Sequence, residues 1–249
     1  MFGGKPGGGF AAPGRHASRS SMPILIILGV LALLALIFGP QFWVKAQMRR
    51  HAAERADFPG TGGELAEHLI ERAGLSGVKV EATDGGDHYD PIDRVVRLSA
   101  DVHGGRSVTA VAVAAHEVGH ALQHRDGHRL LLWRIKMAHG AQALEIAAGI
   151  LFATAPLVLA FVHSLPLVIL QIVTAVALLA SRLVMHVLTL PVEFDASFGR
   201  ALPILEKGGY LPPGDLPAAR SVLKAAALTY VAAALVTLLD VTRIIRVLR

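Results

Sequence analysis

The sequence contains no cysteine, which removes disulfides and thiolate metal sites from consideration. It also lacks a continuous basic face or an aromatic-interleaved stripe. Its formal charge of +5 comes from 24 Lys and Arg against 19 Asp and Glu, spread in short clusters beside apolar runs. Nucleic acid is therefore not an expected partner, whereas an anionic lipid bilayer is. Apolar residues are what the chain has in excess. Hydrophobic side chains make up 53% of it, above the roughly 45–50% of ordinary soluble domains, so a membrane protein is the first expectation.

The first 22 residues, glycine-rich and basic without periodicity, read as a flexible tail. Residues 23–44, "PILIILGVLALLALIFGPQFWV", come close to the roughly 20 residues that cross a bilayer. Lys5, Arg15 and Arg19 ahead of this run would also suit a secretory signal. No A-x-A-like cleavage site follows, however, and further apolar runs do, so the segment reads as a retained anchor with Trp43 at the interface.

Residues 45–140 are polar enough for a water-exposed catalytic region. A helix is expected where Leu65, Leu69 and Ile70 repeat, with Thr61 as its cap and Gly74 at its stop. Short strands are expected in "GVKVEAT" and "DRVVRLS", separated by the turn-forming "DGGDHYDP". Ser107 can cap the helix that follows.

Residues 141–187 read as a transmembrane helical hairpin joined at "HSLP", residues 188–224 as a mixed helical region, and residues 225–242 as an apolar helix that spans the bilayer or packs. The hairpin link carries no Lys or Arg, while Arg134, Lys136 and Arg182 flank it. By the positive-inside rule the link lies outside and the catalytic region faces the cytoplasm.

Within that region stands "AAHEVGHALQH". On a helix, residues i and i+4 share a face, so His116 and His120 can direct two imidazoles at one metal ion, with Glu117 beside them facing the water that a zinc ion would activate. Random placement of the chain's 12 histidines with its glutamates would produce this pattern about 2% of the time. The small and apolar neighbours Val118, Gly119 and Ala121 let such a helix pack closely on its other faces.

A catalytic zinc commonly takes three protein ligands. One known pattern places a third histidine ten residues after the first, beyond a glycine bend. Here those positions hold Asp126 and Gln123, so that pattern fails. His124 and His128 continue the four-residue spacing but drift about 40° per step around the helix, as a solvated face would. A glutamate from a second helix is the alternative. In "TLPVEFDASFGRAL", Pro191 suits a first helical turn and Glu193 follows; Glu193 could equally complement a helix dipole. Glu145 and Asp240 compete with it, although both lie in or beside apolar runs.

Four segments, "GDHYDPIDRVVRLS", "VAAHEVGHALQH", "LPVEFDAS" and "VLKAAALTYVAAAL", in this order among these apolar runs, resemble the YugP-type neutral zinc metallopeptidases of bacterial membranes, which are related to HtpX-type peptidases. The resemblance implies a single Zn²⁺ held by His116, His120 and Glu193, with Glu117 as catalytic base. HtpX-type enzymes usually carry an aspartate four residues after the ligand glutamate to orient a histidine. This chain has Ser197 there, with Asp195 nearer. Tyr230 and Arg200 are candidates for stabilising an oxyanion. The resemblance also singles out His88, Tyr89 and Asp90 without a role.

The expected fold is α+β and mostly α, a membrane-anchored zincin-like catalytic domain with several transmembrane helices, placed in the cell inner membrane as a multi-pass protein. The expected function is a zinc-dependent metalloendopeptidase acting on a protein or peptide substrate, membrane-associated or unfolded. Two other readings remain open. One is a non-catalytic metal-stabilised scaffold or chaperone. The other is a site-2-type intramembrane protease, faintly suggested by Asp240 in "LLDV".

Overall fold

A computed structural model describes residues 21–237. The tail up to residue 20, Asp240 and the basic C-terminal stretch lie outside the described residues. The chain divides into two compact units, one ending at Leu36 and the other beginning at Ile37. The first consists of the N-terminal part of helix α1 (Ser21–Arg50), whose side chains from Ile24 to Leu34 stand exposed. The helix does not stop at Pro40 but runs on to Arg49 and Arg50 in its last turn.

In the second unit, α2 (Gly62–Arg72) begins as its sequence foretells. Thr61 Oγ1 accepts from Glu64 N at 3.2 Å, and Glu64 Oε2 accepts from Thr61 N at 2.7 Å. This reciprocal cap contributes about 1 kcal/mol. The chain leaves the helix through Gly74 at φ 62°, a left-handed position that glycine takes without steric cost.

Strands β1 (Lys79–Thr83), β2 (His88–Asp90) and β3 (Val95–Ser99) form one sheet in the order β1-β3-β2. β1 and β3 run parallel, with Val80 opposite Val96 and Ala82 opposite Leu98; β2 runs antiparallel to β3, with Tyr89 opposite Val96. The segment read as a turn thus contains a strand of its own. Three residues are too few for alternation to show in sequence. The chain between β1 and β2 passes the end of β3, where Asp87 Oδ1 accepts from Ser99 N (2.7 Å) and Ser99 Oγ (2.9 Å).

After the short α3 (Ala100–His103), Ser107 Oγ accepts from Ala110 N at 3.1 Å and starts α4 (Val108–Arg125), the helix that carries the histidines. Every residue of α4 from Val108 to Gln123 is buried. It lies in the main apolar core with Leu69, Leu98, Leu205 and Leu223. The end of α1 is tied to its start: Thr109 Oγ1 donates to Met48 O at 2.7 Å, and Thr109 N donates to His51 O at 3.1 Å.

Two long helices follow, α5 (Arg129–Val162) and α6 (Leu165–Phe194), joined only by His163 and Ser164. His163 takes φ 54° to reverse the chain. Gln171 Nε2 bridges the pair, donating to Leu151 O and to Thr154 Oγ1 at 3.0 and 2.6 Å. Beyond α6 lie a π-helix (Asp195–Ala201), α7 (Leu202–Gly208) and α8 (Leu216–Thr237).

The architecture is mostly helical with a small sheet, as expected. Several transmembrane helices are a different matter. Among the described residues one helix, Pro23–Arg50, is long and apolar enough to cross a membrane; Ile146–Val162 and Leu165–Leu178 are shorter apolar helices.

Asp90 organises the β2–β3 turn. Its Oδ1 accepts from Ile92 N and Asp93 N at 2.9 and 3.1 Å, and its Oδ2 accepts from Arg97 Nη1 at 2.6 Å. Partial burial would push the carboxyl up, but these donors outweigh it and hold the pKa below the ordinary value. The resulting stability is complete above the unfolded-state pKa of about 3.9 and is lost as pH falls through the lower folded-state value. Asp90→Ala should therefore cost about 1–3 kcal/mol near neutrality, in a denaturant titration, and the deficit should shrink in acid. A deficit independent of pH would assign the loss to packing instead.

Candidate metal centre

His116 and His120 sit one turn apart on α4, both buried, with ring centroids 4.7 Å apart and planes at 78°. Facing them is Glu193, which is wholly buried. Its Oε2 lies 3.2 Å from His120 Nε2 and 3.4 Å from His116 Nε2. One donor atom from each residue fits within 4.8 Å of the others, so the three could hold a metal ion.

Glu193 reaches this place from the last turn of α6, not from a helix start. Pro191 lies inside that helix, so neither the expected first turn nor the dipole explanation applies. Directly after Glu193 the backbone widens into the π-helix, an uncommon conformation that concentrates at functional sites. Gly119 of α4 faces it. A Cβ on Gly119 would stand 2.7 Å from Ala196 O, so only glycine lets the two backbones approach this closely.

Both imidazoles have their outer nitrogens engaged, and the partners decide which nitrogen carries hydrogen. Gln123 Nε2 donates to Val192 O and to Asp195 Oδ2, each at 2.8 Å. Its Oε1 must then accept from His120 Nδ1, 2.9 Å away. Ser197 Oγ donates to Leu223 O at 3.0 Å, which leaves it to accept from His116 Nδ1 at 2.9 Å. Each histidine therefore turns the lone pair of Nε2 toward Glu193.

Two lone pairs and a carboxylate converging in a buried space favour positive charge between them. The protonation tendencies say the same. Burial alone would lower the His120 pKa, yet Glu193 raises it on balance. Burial alone would raise Glu193, yet His120 and His116 hold it well below the usual carboxylate range. This donor set fits a zinc ion. The other Glu193 oxygen, Oε1, accepts a hydrogen bond from Arg134 Nη1 of α5. The Arg134 guanidinium in turn lies over the Tyr230 ring, 4.4 Å from its centroid.

Glu117 projects with the two histidines into a cleft of about 660 Å³. Its walls include Val44 and Met48 of α1, the Gly85–Gly86–Asp87–His88 stretch before and into β2, and Ala226, Thr229 and Tyr230 of α8. Burial pushes the Glu117 carboxyl above its ordinary value, opposed in part by the two histidines. A general base works best with a pKa raised toward the working pH.

The family model "Putative neutral zinc metallopeptidase" matches residues 24–249. The chain belongs to this family. It is also 39% identical over 226 residues, 90% of this chain and 96% of the relative, to a Bacillus subtilis (strain 168) protein named "Putative membrane protease YugP". No solved structure matches.

The remaining sequence candidates of this zinc metallopeptidase family member are placed as follows. His124 does not enter the cluster; its Nδ1 meets Tyr89 Oη at 2.9 Å. His128 caps α5, its Nδ1 accepting from Leu131 N at 3.4 Å. Arg200 joins Asp195 (3.0 Å) to Asp126 (2.6 Å) and lines no part of the cleft, whereas Tyr230 does. Glu145 lies on α5.

Two residues escaped sequence reasoning. Gln123 drew notice only as the place where a glycine was missing, and Arg134 only as a topogenic charge. Gln123 does fall three residues after His120, a spacing that puts both on one helix face.

These contacts set the expected effects of two substitutions. Gln123→Leu and Ser197→Ala each remove the acceptor for one Nδ1–H. Each should weaken zinc binding by roughly 10–100-fold, measured by chelator competition on the folded full-length protein. Unchanged affinity in both variants would mean that the outer hydrogen bonds do not orient the ligands.

Proposed function

We propose that this chain is a membrane-bound, zinc-dependent metalloendopeptidase that hydrolyses peptide bonds in membrane-associated or unfolded proteins. In this reading His116, His120 and Glu193 hold zinc and Glu117 is the base. The observation that carries it is the meeting of one donor atom each from His116, His120 and Glu193 within 4.8 Å, with Glu193 Oε2 3.4 and 3.2 Å from the two Nε2 atoms, beside a buried Glu117 in the same cleft. Zinc at this point would acidify a water molecule and polarise the scissile carbonyl. Glu117 takes the water proton on its carboxylate and passes it to the leaving nitrogen. Gly85 and Gly86 add no side chains to the wall of the cleft that the two histidines also line.

Membrane attachment is supported by α1 and by the relative's name. The α5–α6 hairpin extends the reading to a multi-pass protein of the inner membrane. It carries Ile146, Ile150, Leu157, Phe161, Leu170 and Val173, all exposed, apolar side chains that suit lipid. The link at His163 and Ser164 has no Lys or Arg, in keeping with a cytoplasmic catalytic side. An intramembrane protease would need its motif inside an apolar span. Here α4 is enclosed by α2, α8, the sheet and the π-helix.

Metal analysis and cleavage of a protein substrate by full-length protein in detergent test the proposal together. Glu117→Gln should keep zinc and lose cleavage by about 10²–10⁴-fold, whereas Glu193→Ala should lose the zinc itself. Full cleavage by Glu117→Gln sinks the assigned base. Full zinc occupancy in Glu193→Ala sinks the third ligand, and full complementation in vivo by Glu117→Gln would favour a scaffold.

A further inference from the structure

We infer that Arg134 is a positioning residue for the metal centre: it takes up Oε1 of Glu193 so that Oε2 alone is offered between the two imidazoles. The inference rests on the reading of His116, His120 and Glu193 as metal ligands and adds to it a residue outside the histidine motif.

The geometry is specific. A buried carboxylate has two oxygens that could both turn toward a cation. In Glu193 one of them is committed, because Arg134 Nη1 donates to Oε1. The other points at His116 Nε2 and His120 Nε2, 3.4 and 3.2 Å away. Arg134 is itself held, with its guanidinium plane over the Tyr230 ring at 4.4 Å and a hydrogen bond to the same side chain. A planar, delocalised cation can stack and donate at once, which an ammonium cannot.

The consequence for the centre is twofold. Offering a single oxygen leaves a coordination position free for the reacting water, as an open catalytic site requires. The guanidinium also draws charge from the ligand carboxylate, so less of the ion's positive charge is offset by its donors. Arg134 stands in the second turn of α5, the helix whose far half is the apolar stretch Ile146–Val162. One side chain therefore connects the third ligand to the hairpin.

The test uses full-length protein in detergent, with zinc affinity from chelator competition and the visible absorption of the cobalt-substituted form as a probe of coordination. Arg134→Gln keeps a hydrogen-bond donor but removes the charge. It should weaken zinc binding by roughly 10–100-fold and alter the cobalt bands. Arg134→Lys keeps the charge and a donor but not the planar fork, and should bind zinc more tightly than Arg134→Gln and less tightly than the parent. Wild-type affinity and wild-type cobalt bands in Arg134→Gln would overturn the inference. So would weakened binding with unchanged bands and an apo-protein melting temperature lowered equally in both variants, since that is loss of packing alone. Failure of the underlying reading looks different. In that case the parent protein binds no stoichiometric zinc, or Glu193→Gln binds it as well as the parent.

Discussion

Three electron-rich atoms are held against one another among buried side chains at the wall of the cleft. The Nε2 atoms of His116 and His120 and Oε2 of Glu193 would drift apart if left to themselves, since lone pairs and an anionic oxygen at 3.2–3.4 Å attract nothing but positive charge. Much of the second unit works against that drift. α4 supplies the one-turn spacing, Gly119 allows the close approach, and the π-helix changes the pitch of the chain immediately after Glu193. Gln123, Ser197 and Arg134 then fix the rotations that remain. Burial strengthens each of these contacts, because a polar group removed from water and left unpaired there would be costly.

The same constraint explains how the end of α1 and the site are joined. Thr109 ties the first turn of α4 to the last turns of α1 through Met48 O and His51 O. Ser221 Oγ reaches Gln47 Oε1 at 2.8 Å from α8, and Lys224 stands over the Trp43 ring at 6.0 Å. The end of α1 is thereby a wall of the cleft and a fixed support for the motif helix at once. A site dependent on sub-ångström placement gains from such a support, because a hinge there would let the ligands separate. Val44 and Met48 of α1 line the same cleft as Glu117.

What could be read from sequence was local in origin. The caps at Thr61 and Ser107 and the shared face of His116 and His120 follow from spacings of three or four residues, and the structure has them all. Glu193 stood in competition with Glu145 and Asp240 as a third ligand, and a family pattern singled it out. Its setting was misread: Pro191 normally opens helices, but here α6 continues through it. The strand at Tyr89 was too short to show a period. Gln123 and Arg134 lie beyond local rules altogether. Their partners are Asp195 and Glu193, about 60 to 70 positions away, and only the packing of α5 against α6 and of the π-helix against α4 brings them together.

The departure from the HtpX-type pattern then has a physical reading. An aspartate in place of Ser197 would put a second negative charge next to His116, pulling its Nδ1 proton and enriching the ligand set. This chain uses neutral acceptors for both histidines, Ser197 Oγ and Gln123 Oε1. It keeps Asp195 one step back, where Arg200 pairs with it, and it balances the ligand carboxylate with Arg134. With Gln123 and Arg134 included, the proposed ligand set carries one full negative charge and has one positive charge directly behind it. Such a surround donates weakly to an ion and leaves more of its charge to act on a water or a carbonyl. The neutral second layer and the arginine are thus two parts of one electrostatic solution, and changing either should shift the demand onto the other.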